Sequence, residues 1–162
     1  MLAKNLPAVL LVEDSPDDVD FARRALAKSN SAHRLVVAEQ GEQALEMLRG
    51  GGLDSEPGER FRPALVLLDL NIPGMSGHEL LRQIKTDDDL CSIPVVILST
   101  SHNRKEIESC YRDLANSYHV KLDDFGRYQN MLARIVEYWL EIAQPAHTPE
   151  EMLCEPCAGP ES

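Results

Sequence analysis

Residues 64–77 read Ala-Leu-Val-Leu-Leu-Asp-Leu-Asn-Ile-Pro-Gly-Met-Ser-Gly. The apolar run Ala64–Leu68 ends in the ionisable Asp69, and a Pro73-Gly74 turn follows. A strand of a parallel sheet has this composition because helices cover both of its faces. Its last residue then lies at the C-terminal edge of the sheet, where open α/β folds gather their ligand-binding groups. The run Val9–Val12 ends the same way, in Glu13-Asp14. If the two strands are neighbours, their acids share one pocket.

Outward from these runs the same rhythm continues. Short apolar stretches at Leu35–Ala38, Val95–Leu98 and, more weakly, Tyr118–Val120 alternate with helical patterns. Alternation of this kind predicts βα units and a doubly wound parallel sheet with right-handed crossovers. Ser15-Pro16-Asp17-Asp18 reads as a helix start, with proline in the first turn and acids at the positive end of the helix dipole. Further helices are expected after Gly41, from Ser76-Gly77, over Arg104–Leu114 and over Phe125–Ala143. The Gly-rich stretch from Gly50 to Phe61 reads as a long surface loop. The reading divides the chain into one domain over residues 6–143 and a Pro-rich acidic tail over residues 144–162.

Composition narrows the functions open to such a domain. A net charge of -11 opposes binding to a phosphate backbone, which needs clustered Lys and Arg. No apolar stretch approaches ~20 residues, so no membrane span is expected. The four cysteines are scattered singly or fall in the tail as Cys154 and Cys157, which suits a reducing, cytoplasmic setting.

Two further strand ends add chemistry. Ser99-Thr100 closes the fourth run and Lys121 the fifth. Clustered carboxylates are tolerated around a cation or a proton, and an oxygen-only donor set favours a hard divalent ion such as Mg²⁺. Acids, hydroxyls and a fixed ammonium on one edge make a site for a phosphoryl group. Asp69 is the candidate nucleophile, because a carboxylate accepts phosphate as an acyl phosphate without a general base.

Four ordered segments carry a family resemblance: Leu-Val-Glu-Asp (11–14), Leu-Leu-Asp-Leu-Asn-Ile-Pro-Gly-Met-Ser-Gly (67–77), Ile-Pro-Val-Val-Ile-Leu-Ser-Thr (93–100) and Tyr-His-Val-Lys (118–121). Over roughly residues 6–142 the chain resembles the receiver domains of two-component response regulators. The resemblance implies a flavodoxin-like five-stranded sheet in the order 2-1-3-4-5 with five helices. It also implies phosphoryl transfer to Asp69 from a histidine kinase. Asp14 and Asp69 would bind Mg²⁺ directly, Asn71 through its backbone carbonyl and Glu13 through water. Lys121 would contact the phosphoryl group, Ser99 (with Thr100 beside it) would be the switch hydroxyl, and Tyr118 the aromatic that moves with it. The family usually carries proline after the lysine, where this chain has Leu122.

The loop before the third strand, Asp87-Asp88-Asp89-Leu90, Ser-Thr-Ser-His-Asn (99–103) and Asn116-Ser117-Tyr118 narrow the resemblance. They are similar to stand-alone regulators paired with cyanobacterial and bacterial phytochromes, which implies a red-light-sensing kinase as partner. Two rivals are an aspartate-nucleophile phosphohydrolase and a receiver-like binding module that does not use phosphate. The hydrolase wants a second acid two residues after the nucleophile, and Asn71 stands there. The run Asp87–Asp89 reads as a solvated loop, and Cys154-Glu-Pro-Cys157 as part of an ordinary tail.

The last helix has an apolar arc wider than docking on a sheet requires. Tyr128, Met131, Ile135, Tyr138, Trp139 and Ile142 are therefore expected to form a self-pairing surface, with the fourth helix and fifth strand beside them, in a homodimer. A helix buried more deeply by the tail is the alternative.

Overall fold

The computed structural model describes residues 6–51 and 61–146. Five strands alternate with five helices. The order is β1 (Ala8–Val12), α1 (Pro16–Leu26), β2 (Arg34–Ala38), α2 (Gly41–Glu46), β3 (Leu65–Asp69) and α3 (Gly77–Thr86). Then come β4 (Val95–Ser99), α4 (Arg104–Arg112), β5 (Ser117–Val120) and α5 (Phe125–Glu137). The strands pair in parallel as β2-β1-β3-β4-β5, the expected order. Residues 52–60 of the anticipated loop and residues 147–162 of the anticipated tail, Cys154 and Cys157 included, lie outside the described residues.

The three central strands are buried along their whole length, which explains why they read as unbroken apolar runs. The outer strands β2 and β5 are mostly half-buried, in keeping with the weaker signal of the fifth run. Alternation along each strand divides the core in two. Val12, Val66, Leu68 and Ile97 meet Leu45, Leu80, Leu81 and Ile84 of α2 and α3 on one side. Val9, Leu11, Leu65, Leu67 and Leu98 meet Ala22, Leu26, Leu132 and Val136 of α1 and α5 on the other.

Polar side chains start four of the helices by accepting a backbone N–H: Ser15 for α1, Ser76 for α3, Asn103 for α4 and Asp124 for α5. Gly77 is dictated by space. A Cβ there would lie 2.5 Å from the Asp69 carbonyl oxygen and 2.5 Å from Leu70 Cα, so the chain can fold back over the end of β3 only on a glycine.

The fifth helix departs from expectation in two ways. It passes after Glu137 into a wider turn, Tyr138–Ile142, closed by the Ala143 N–H donating to the Tyr138 carbonyl at 2.8 Å. Much of its surplus apolar arc is also covered from within. Phe21 of α1 stacks on Tyr128 with centroids 4.9 Å apart and meets Phe125 edge-on at 4.4 Å. Met131 and Trp139 pack against the α1–α5 core. Ile135 is buried in that core and is thereby removed from the anticipated pairing surface, since a side chain beneath the helix cannot reach a partner. Tyr138 and Ile142 remain outside, at 49% and 68% exposure.

Candidate functional site

The order β2-β1-β3 places the chain's reversal of winding between β1 and β3, so the C-terminal ends of these strands form a crevice. Glu13 and Asp69 enter it from those two strands. Alternation puts both on the α1–α5 side, with Leu11 and Leu67. Their burial differs from that of Asp14: Glu13 and Asp69 are buried, while Asp14 is exposed at the rim.

Lys121 occupies the centre of the group. Its Nζ donates to Glu13 Oε2 at 2.7 Å, to Asp69 Oδ2 at 2.7 Å and to Asp18 Oδ2 at 2.9 Å. The lysine is placed by β5, and its own N–H donates to the Ser99 carbonyl at 2.8 Å. The described residues contain no cis peptide, so the Lys121-Leu122 bond is trans. The other oxygen of Asp69 is also held, because Asn71 donates its backbone N–H to Oδ1 at 2.8 Å. The Asn71 side chain is exposed.

Burial and charge act against each other here. Desolvation raises the Glu13 carboxyl to about 7, against the pull of Lys121 and the Ser15 N–H. Burial by itself would lower Lys121. Its bonds to Asp69, Glu13 and Asp18 outweigh that and hold the ammonium above its ordinary range. Oxygens of Glu13, Asp18 and Asp69 all lie within 4.8 Å of one another. This oxygen-only set, with more negative charge than one ammonium balances, fits a hard divalent cation.

Asp18 was absent from the sequence expectation. The sequence did contain a signal for it: Asp18, Ala22, Ala25 and Leu26 recur at helical spacing on the inner face of α1. Its acidity was credited to the helix dipole alone.

Ser99 and Tyr118 lie on the other side of the sheet. Ser99 is fully buried, and its Oγ accepts the Ser101 N–H at 3.2 Å. Thr100 is exposed. The Tyr118 ring packs against the α2–α3 core, while its one hydroxyl proton is shared between the Ser101 carbonyl at 2.9 Å and Glu106 Oε2 at 3.3 Å. His78 of α3 reaches the other Glu106 oxygen at 3.4 Å, and its second ring nitrogen faces Cys110 Sγ at 3.7 Å. A Cys-His-Glu series of this kind suggests a nucleophile, but burial pushes the Cys110 thiol up to about 11 and keeps it protonated. Glu106 and His78 were both missed by the sequence reading, because a contact between two helices leaves no spacing to recognise.

A doubly wound sheet of this order, with an aspartate at the end of its central strand and a lysine on that aspartate, defines a flavodoxin-like α/β domain with an acidic site at one sheet edge. The chain belongs to the response regulator receiver domain family, whose model it matches over residues 9–133. It is 37% identical over 134 residues to the response regulator Rcp1 of Synechocystis sp., covering 82% of this chain and 88% of that protein. Its fold matches the crystal structure of the phosphorylated cyanobacterial phytochrome response regulator RcpA with a TM-score of 0.79 and 35% identity, over 88% of this chain and 99% of the other. The Mn²⁺-bound form of Rcp1 matches with a TM-score of 0.77 and 35% identity, over 87% of this chain and 99% of that one. Among the described residues no helix is long and apolar enough to cross a membrane.

Proposed function

We propose that Asp69 accepts a phosphoryl group from the phosphohistidine of a sensor kinase, and that the kinase is of the phytochrome type. The observation that carries this reading is the hold on the Asp69 carboxylate, with Lys121 on one oxygen and the Asn71 N–H on the other. The likeness to RcpA and Rcp1 supports the phytochrome pairing.

Mg²⁺ would be held by Asp69, Asp14 and the Asn71 carbonyl, with Glu13 acting through water. When bound, it offsets the charge of the carboxylates and of the transferring phosphoryl oxygens. An Asp69 oxygen attacks phosphorus in line, the P–N bond breaks, and the electron pair leaves on the imidazole. Lys121 supplies a positive charge that is already in place beside Asp69. The new phosphoryl oxygens then offer Ser99 an acceptor, and Tyr118 follows the space that the hydroxyl vacates. The α4–β5–α5 surface changes with them, a shift driven by contacts made in one state only. Output passes through protein contacts or onward phosphotransfer rather than nucleic acid, and a second copy of the chain pairs on the exposed end of α5.

Incubation with acetyl phosphate and Mg²⁺, followed by intact mass, tests the central step. A stable adduct that Asp69→Asn abolishes supports the receiver. Multiple turnover would point to a phosphohydrolase, and an unmodified chain to a binding module that does not use phosphate. Transfer from a phytochrome kinase should change between red and far-red light, and indifference to light would refute that pairing.

A further inference from the structure

We propose that Asp18 is a positioning residue that holds the third N–H of Lys121 and hands it to the phosphoryl group when Asp69 is modified. This rests on Asp69 being the phosphoacceptor, and it goes further by assigning a role to a residue on α1.

The argument begins with a count of donors. An ammonium has three N–H groups and no acceptor. Lys121 spends all three on carboxylates, at 2.7 Å to Glu13, 2.7 Å to Asp69 and 2.9 Å to Asp18. The N–H on Asp69 passes to the phosphoryl group that modifies it, and a second N–H reaches that dianion only when Glu13 or Asp18 gives one up. Exposure decides which one leaves. The side chains of Glu13 and Asp69 are 4% and 10% exposed, whereas that of Asp18 is 50% exposed. Stripping the cation from Glu13 would leave a buried charge uncompensated, a far greater loss than releasing a solvated one.

Asp18 is also the member best supported without its partner. It lies in the first turn of α1, where the positive end of the helix dipole favours a carboxylate. Its own N–H is already satisfied by Ser15 Oγ at 3.3 Å. On release, the Asp18 oxygens meet water and the helix terminus, and no buried group is orphaned. Until then Asp18 competes with the phosphoryl group for the same N–H, so it slows transfer and pulls the lysine back.

Asp18→Asn removes the competing charge and keeps the shape. The expected result is labelling by acetyl phosphate about 2–5-fold faster, the scale of one exposed ion pair, measured at saturating Mg²⁺ so that metal affinity does not enter the rate. The acceleration must also run through the lysine: in a Lys121→Met background the same substitution should no longer change the rate, the test of a double-mutant cycle. An unchanged rate in Asp18→Asn would overturn the handover. So would an acceleration that persists without Lys121. If the unsubstituted chain takes no label at all, the phosphoacceptor reading itself has failed, which is a separate outcome.

Discussion

The Tyr118 hydroxyl lies 3.3 Å from Glu106 Oε2 on α4, which ties β5 to that helix. Hydrogen bonds from Ser101, with His78 and Tyr118, hold the Glu106 carboxyl below its ordinary range, while burial raises the Tyr118 phenol. The pair is therefore a neutral donor on a charged acceptor, and through His78 it also reaches α3.

Glu106→Ala should loosen Tyr118 while leaving the hydroxyl its bond to the Ser101 carbonyl. The loss is about 1 kcal/mol, the usual net worth of a hydrogen bond. Tyrosine ¹³C NMR of the unmodified protein should show the Tyr118 ring signals shifted and broadened, with Asp69 labelling intact. Unaltered ring signals would show that α4 does not restrain the tyrosine.

Gly77→Ala should be costly, because the added methyl meets backbone atoms that cannot swing aside. Overpacking of this kind typically costs ~1–3 kcal/mol. Since the nearest atoms belong to Asp69 and Leu70, the backbone that carries the Asp69 carboxylate must shift as well. Thermal melting should show lower stability, and labelling by acetyl phosphate should slow in the fraction that remains folded. A substitution that changes neither would mean that the chain passes Gly77 with room to spare.

Phe21→Ala removes the ring between Phe125 and Tyr128. A fully buried phenylalanine lost to alanine costs about 3–5 kcal/mol, and the half-buried Phe21 should fall below that range. Urea denaturation measures the loss directly. A stability equal to that of the unsubstituted chain would show that α1 does not cover the apolar arc of α5.

If the exposed end of α5 pairs two copies, light scattering should give a dimer for the unsubstituted chain and monomers for Ile142→Glu, alone or with Tyr138→Glu. The residues are chosen because they are exposed, so the monomer itself should remain folded. A charge placed in an apolar contact opposes association through its desolvation. Dimers that persist in the double variant would rule out this end of α5 as the pairing surface.

The strands were legible because burial on both faces leaves its mark on every residue of a run. Leu65 through Leu68 must all be apolar, and Asp69 is conspicuous as the first residue that is not. The helices were legible from their caps and their inner spacing. Less was readable where one element covers another. The arc on α5 indicated surplus apolar surface, yet nothing in residues 125–142 says that Phe21 lies over Tyr128.

The division at the site follows the same line. Sequence alone placed Asp69, Glu13, Ser99 and Lys121 at strand ends, since each interrupts or closes an apolar run whose length sets where the strand stops. Tertiary structure decided which of Glu13 and Asp14 turns inward, because side-chain alternation fixes a face only once the neighbouring strand and helix are known. It also brought Asp18 across from α1 to a lysine 103 positions away. A three-donor ammonium chooses its partners by distance in space, and that choice is written in the packing of α1 against the sheet rather than in any local pattern.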